Sequence, residues 1–268
     1  MRKVIDSEEE VDRYDMVTVK RWVAELLRAC KYLNSAGVIH RDVKPENICI
    51  NDNWKLTLLD LGTARVIDRV NTMTHERGTH PYMAIEVQLK VEGAYDEKVD
   101  MWSVGAILCE LLTGQILFGG GDGKNPYHIV MCRCGPLETD VIDRLTDSIL
   151  RRNLRRDLEK KTYERIDFME YLSDEGRKWL RDDINRNTDA LTCFIDKTLQ
   201  YNPDYRLSVE HALSHPFLLE VRDQSREVAV AEEMASEEDL PEDYAEAIDE
   251  CKRRIWREIQ AAPKYLSV

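Results

Sequence analysis

Residues 38–60 read VIHRDVKPENICINDNWKLTLLD, and the rest of the chain is organised around them. Val38 and Ile39 lead into a loop, His40 to Asn47, that is too rich in charge to be a core segment. Ile48, Cys49 and Ile50 form a short apolar run, and Asn51, Asp52 and Asn53 are turn formers. Lys55 to Leu59 ends apolar and reads as a short, largely buried strand. The pattern is strand, tight loop, strand, turn, strand. It brings Asp42, Lys44 and Asn47 of the loop to the edge of a small hairpin, with Asp60 at the end of the returning strand.

Two carboxylates, an amide and a lysine suit phosphoryl transfer. Magnesium prefers a few oxygen ligands plus phosphate, and Asn47 and Asp60 can supply those oxygens. Asp42 can accept the proton of an attacking hydroxyl, and Lys44 can offset charge on the transferred group. The stretch resembles the eukaryotic protein kinase catalytic loop, H-R-D-x-x-x-x-N, followed by the D-F-G magnesium loop. It stands here as His40-Arg41-Asp42…Asn47 and then Asp60-Leu61-Gly62, with leucine for phenylalanine. The resemblance implies ATP and Mg2+ as cofactors. It also implies a mainly α fold, the large C-terminal lobe of a protein kinase with a small β-hairpin at the catalytic loop.

Composition sets the bounds. A hydrophobic content of 43% over 268 residues suffices for a core, and the net charge of -13 argues against generalised nucleic-acid binding. No apolar run approaches a membrane span, and MRKVIDSEEE lacks the apolar stretch of a signal peptide. Seven cysteines lie scattered, with Cys132-x-Cys134 the only close pair. Two thiols alone make a poor zinc site. The expectation is reduced thiols in a cytoplasmic or nuclear protein.

Outward from the loop, Trp22, Leu26, Leu27, Cys30 and Leu33 recur at helical spacing. They predict a helix over about 18–36 that stops at Gly37. Lys98 to Thr113 leaves almost no polar face, so a buried helix is expected, ending at Gly114. By resemblance Asp100 on that helix accepts backbone N–H groups of the catalytic loop. Gly119 to Lys124 lacks the spacing of a phosphate-binding loop and reads as a surface loop. Pro126 to Cys134 reads as a short helix and 189–218 as helical. The basic run from Arg151 to Arg165 reads as a solvated helix face, with an anion or acidic-partner site as the alternative. From 220 to 250 there are 13 acidic residues against Arg222 and Arg226, an acidic linker. An amphipathic helix over about 241–260 follows it.

NSAGVIHRDVKPEN is similar to the mitogen-activated protein kinases in particular. Gly62 to Glu86 then resembles the activation segment, with Ala84-Ile85-Glu86 in place of A-P-E. The resemblance pairs Glu86 with a buried Arg206, and Lys44 and Thr79 imply Ser/Thr substrates. Thr74-His75-Glu76 stands where the branch has Thr-x-Tyr, and His80 where it has arginine. A fixed carboxylate cannot reproduce a phosphate's three acceptor oxygens, so dual phosphorylation is excluded. Asp223 and Glu227 fall where the branch carries an acidic docking patch, with Arg226 in place of an acid. Docking of basic motifs and a plain solvated linker both remain open. Protein substrates, upstream kinases and docking-motif proteins are the implied partners. The resemblance divides the chain into 1–219, the larger lobe, and 220–268, the extension. The sequence shows no Gly-rich strand-turn-strand and no V-A-I-K lysine. The small β-rich lobe that clamps ATP is therefore expected to be absent and this chain alone inactive. The alternative is a catalytically silent scaffold that binds signalling partners.

Overall fold

The computed structural model describes residues 1–7, 14–66, 81–91, 96–120 and 126–227, together with Glu250 and Arg253. Thr74, Thr79, the acidic stretch after 227 and nearly all of the expected terminal helix lie outside the described residues. A short helix, α1 (Arg2–Asp6), comes first, then α2 (Met16–Ser35). Asp15 caps α2 by accepting the Thr18 N–H at 2.7 Å, which satisfies a donor the first turn leaves orphaned. The expected stripe of Trp22, Leu26, Leu27, Cys30 and Leu33 is buried. The helix ends at Gly37, whose φ of +68° suits a residue without Cβ.

The decisive stretch takes the expected order of strand, loop, strand, turn and strand. β1 (Val38–Ile39) enters the loop, a 3-10 turn spans Pro45–Asn47, and β2 (Ile48–Ile50) pairs antiparallel with β3 (Leu56–Leu58). β4 (Arg65–Val66) returns to pair with β1, Val38 opposite Val66. One expectation is corrected: the 55–59 strand is not largely buried. Leu56 and Leu58 are half-buried and Leu59 is exposed. Among the described residues, α2 covers only one face of this two-stranded sheet; the Glu25 carboxylate of α2 accepts the Leu56 N–H at 2.7 Å.

Helix α3 (Ile85–Gln88) precedes α4 (Val99–Thr113), of which every residue is buried. A helix apolar on all sides belongs at the centre of a core, and α2 and α9 pack around this one. Gly105 permits the closest approach, since a Cβ there would lie 2.4 Å from Thr198 Oγ1. Gly114 ends α4 at φ +77°. The remaining helices are α5 (Pro126–Cys134), α6 (Thr139–Asp143), α7 (Ser148–Lys160), α8 (Phe168–Glu175), α9 (Arg181–Thr198) and α10 (Val209–Leu213).

The expected helix over 189–218 is broken. α9 ends before a 3-10 turn at Pro203–Tyr205, and α10 before another at Pro216–Val221. Each proline removes a helical donor, while Asn202, Ser208 and His215 each cap the next turn. The basic run also divides. α7 carries its arginines to Lys160, but Arg165 lies beyond it and pairs with Asp196 at 2.9 Å. No helix among the described residues is long and apolar enough to cross a membrane.

Candidate active site

The loop is fixed from below by α4. Asp100, 1% exposed, accepts the His40 N–H at 3.0 Å and the Arg41 N–H at 2.9 Å. Burial pushes this carboxyl upward from its ordinary range, and His40 and the two backbone donors work in the opposite direction. His40 is itself buried. The Asp42 N–H points at its Nδ1 at 3.3 Å, and its Nε2 lies 2.9 Å from the Leu59 carbonyl oxygen. Arg41 Nε donates to the Thr63 carbonyl at 2.8 Å, and Thr63 Oγ1 donates to the His40 carbonyl at 3.1 Å. These bonds tie the loop to the strand end that carries Asp60.

Asp42, Lys44 and Asn47 are bonded to one another, and Asp60 directly follows the residue whose N–H bonds Asn47. Lys44 Nζ lies 2.6 Å from Asp42 Oδ2. Asn47 Nδ2 donates to the same oxygen and to the Asp42 backbone carbonyl, each at 2.8 Å. The Leu59 N–H donates to the Asn47 carbonyl at 2.7 Å, which brings Asp60 within one residue of that contact. Asp60 Oδ1 accepts the Gly62 N–H at 2.9 Å, and a Cβ on Gly62 would press against that same oxygen. Arg41 and Asp60 have φ of +66° and +64°. Non-glycine residues held in this region cost free energy and recur at functional sites.

The oxygens suit a magnesium–phosphate ligand. Asn47 Oδ1 and Asp60 Oδ2 accept no hydrogen bond from a described residue. Among the described residues no cluster of three His, Cys, Asp or Glu could hold a metal by protein ligands alone. Magnesium instead retains waters and takes one or two side-chain oxygens plus phosphate, and Asn47 with Asp60 is a donor set of that size.

The expected anchor of the activation segment is present. Arg206 Nη1 and Nη2 donate to Glu86 Oε1 and Oε2 at 2.6 and 3.0 Å, with the two side chains 0% and 1% exposed. The two tail acids are not equivalent. Asp223 is exposed and accepts the Ser225 N–H and Oγ–H, whereas Glu227 is 6% exposed beneath Arg222 and Lys31, each within 2.9 Å. Residues 220–227 therefore stay on the α2 side of the domain, with Lys20 paired to Glu220 and Arg226 to Glu25.

One cluster escaped the sequence reading. Arg2, Glu46, Tyr82 and Glu110 meet beside the catalytic loop. The available signal was Glu110, a carboxylate within an otherwise apolar helix, which demands a partner.

A protein kinase domain model matches residues 2–218 of the chain. Curated relatives include mitogen-activated protein kinase mpkC of Emericella nidulans, 34% identical across 84% of this chain and 52% of that protein. Mitogen-activated protein kinase pmk-1 of Caenorhabditis elegans is 35% identical across 88% and 57%. Mitogen-activated protein kinase HOG1 of Arthrobotrys oligospora is 33% identical across 86% and 63%. The chain thus spans between about half and just under two thirds of these relatives. With the matched domain covering most of its length, the chain belongs to the protein kinase domain family and is mitogen-activated-protein-kinase-like.

Proposed function

We propose that residues 1–219 form the catalytic lobe of a protein Ser/Thr kinase of mitogen-activated type, with 220–268 its C-terminal extension. The observation that carries the reading is the bonding of Asp42 to Lys44 and Asn47, one residue removed from Asp60. Bound ATP with Mg2+ supplies the phosphoryl group and neutralises phosphate charge. Asn47 and Asp60 hold the metal, and Lys44 offsets charge on the transferred group. Asp42 accepts the proton of the substrate hydroxyl at its carboxylate. Lys44 and Asn47 keep that carboxylate oriented, while Asp100 and His40 hold the backbone beneath it. Protein substrates, activating kinases acting on Thr74, and basic docking motifs at Asp223 are the partners this reading implies. Cytoplasm and nucleus are the compartments.

A second reading, a catalytically silent scaffold, is favoured by Glu76 in place of tyrosine and Ile85 in place of proline. The test joins residues 1–268 to the small lobe of a relative and assays MgATP turnover on a Ser/Thr peptide. Asp42→Asn and Asp60→Asn should each lower kcat on the order of 10²-fold or more. Activity within a few-fold of the parent for both variants sinks the kinase assignment. Residues 1–268 by themselves should turn over no faster than their Asp42→Asn variant. Their sequence supplies no Gly-rich cover or V-A-I-K lysine for the phosphates, and one lost preorganised donor alone costs roughly 10²–10³ in rate.

A further inference from the structure

We propose that the outer face of α7 binds an acidic segment of a partner polypeptide, which sets carboxylates against Arg152, Arg155 and Arg156 and an apolar side chain against Ile149. Such a site needs no phosphotransfer and goes beyond the kinase reading.

The spacing of residues sorts α7 into two faces. Leu150, Leu154 and Leu158 recur every four positions; Leu154 is buried, and Leu150 and Leu158 pack half-buried against the core. On the opposite face Ile149, Arg152 and Arg156 follow at spacings of three and four, with Arg155 and Glu159 beside them. The four charged residues are exposed, and Ile149 is 61% exposed. With Ser148 and Arg151 those four line an open groove of about 550 Å³.

Residues 148–161 hold four arginines and two lysines against Asp157 and Glu159, in a chain of net charge -13. Among the described residues only Arg155 of these cations meets a carboxylate, that of Asp143. Both side chains of the pair are about half-exposed, where an ion pair contributes little. Arg156 reaches only the Asn153 amide oxygen, at 3.4 Å, and Arg152 has no hydrogen-bond or ion-pair partner among the described residues. Arg151 Nη2 donates to the Leu145 carbonyl, but its buried Nε has no acceptor. A buried donor left unmatched is costly, and this one lines the groove.

Guanidinium forks pair best with carboxylates and phosphates, and the two remaining residues of the face narrow the choice. Glu159 interrupts the cationic stripe. A uniformly anionic ligand, such as a nucleic acid or a charged bilayer, would press negative charge against it, and the chain's net charge opposes any long polyanion. A polypeptide can place acids opposite the arginines and a neutral or basic residue opposite Glu159. It can also cover Ile149 with an apolar side chain, which phosphate groups cannot do. The 13 residues of α7 present a face of roughly 20 Å, which about six extended residues would span.

The experiment uses residues 1–268 and a fluorescein-labelled Gly/Ser peptide bearing glutamates and one leucine, with a version carrying glutamine for glutamate, read by fluorescence anisotropy. The parent should bind the glutamate peptide at least about 10-fold more tightly than the glutamine one, and less tightly as salt rises. Arg152→Glu with Arg156→Glu should abolish that preference. Arg152→Ala with Arg156→Ala should lose several-fold, and it reports if the charge reversal fails to fold. Ile149→Ser should weaken the leucine-bearing peptide and leave a leucine-free version unchanged. Arg186→Glu, the same reversal at a 70% exposed arginine of α9, should leave binding nearly unchanged. Equal binding of the glutamate and glutamine peptides overturns the site, as does a loss with Arg186→Glu as large as with the α7 pair. A thymidine oligonucleotide or an anionic phospholipid vesicle that binds as tightly, and through the same arginines, also overturns it, because charge alone is then being read.

Discussion

Two carboxylate–guanidinium pairs are built on the frame around α4, and they differ in how they are closed. Glu86–Arg206 is sealed, at 1% and 0% exposure. The remaining Arg206 donors go to backbone carbonyls of Lys98, Gln200 and Tyr201, and its guanidinium lies 5.3 Å from the Trp102 ring centroid. Glu110–Arg2 is open on one side, its guanidinium shared between a buried carboxylate, a phenol and the half-exposed Glu46. Burial works against the Arg2 charge, but its bonds to Glu110 and Tyr82 more than offset this and raise its pKa. The same burial, with Glu110 beside it, raises the Tyr82 phenol. A sealed pair is shielded from solvent. An open one of the same chemistry is not.

The largest effect should come from breaking the sealed pair. Glu86→Ala leaves Arg206 buried without its carboxylate and should cost roughly 3–5 kcal/mol, read by urea or thermal unfolding. A melting curve like the parent's would mean that the pair contributes nothing. Replacing both partners, Glu86→Leu with Arg206→Met, should cost far less than the single change, because no stranded charge remains. A double variant as unstable as Glu86→Ala would show that the pair's role is shape rather than charge.

Arg2→Ala breaks the open pair, and the comparison predicts a smaller loss, about 1–3 kcal/mol, because water can reach Glu110 once the side chain is gone. Tyr82→Phe, which removes one hydroxyl, should cost about 1 kcal/mol. If Arg2→Ala destabilises as much as Glu86→Ala, the cleft is closed to solvent and the contrast between the two pairs fails.

The two pairs also differed in how far sequence revealed them. Glu86 and Arg206 sit in stretches whose neighbours match the kinase pattern, so their pairing was legible across 120 positions, as were Asp100 and the helix ends at Gly37 and Gly114. Arg2 lies in a charged N-terminal stretch, and nothing in its spacing points to Glu110, 108 positions away. Long-range charge pairing has no period, whereas burial does. Two errors of local structure have similar roots. The pattern over 189–218 satisfies a helix as well as a string of capped turns, and the turns are favoured by Pro203 and Pro216 together with the caps Asn202 and Ser208. The apolar end of the 55–59 stretch reads as buried, yet Leu59, just past β3, is 44% exposed because a strand's own sequence does not say whether both of its faces are covered. Of the site, the four residues proposed for phosphotransfer could be singled out because they share one short loop and its returning strand. The hydrogen bonds that orient them through His40, Thr63 and Leu59 could not, since they run through backbone atoms that carry no residue signature.

The smallest expected effect concerns a third cluster, in which one carboxylate is shared by two cations that are 21% and 22% exposed. Glu227 lies under Arg222 and Lys31. The Arg222 hydrogen bond lowers its pKa from the ordinary value of 4.5, burial opposes this, and Lys31 adds to the lowering. A carboxyl depressed in the folded state favours folding when ionised. Its contribution should therefore be fully present above about pH 4.5 and lost as pH falls through the lowered folded value. Glu227→Gln removes that titration while keeping the shape of the side chain. The difference in unfolding free energy between parent and variant should be a few tenths to about 1 kcal/mol at pH 7. It should shrink towards zero in acid, and high salt should diminish it too. The sealed Glu86 pair, compared in the same way, should resist salt. If the Glu227→Gln difference were instead constant from pH 7 into acid, the carboxylate's charge would not be what holds residues 220–227 to α2. Asp223 would then have to be weighed as a docking acid without Glu227 fixing the backbone beside it.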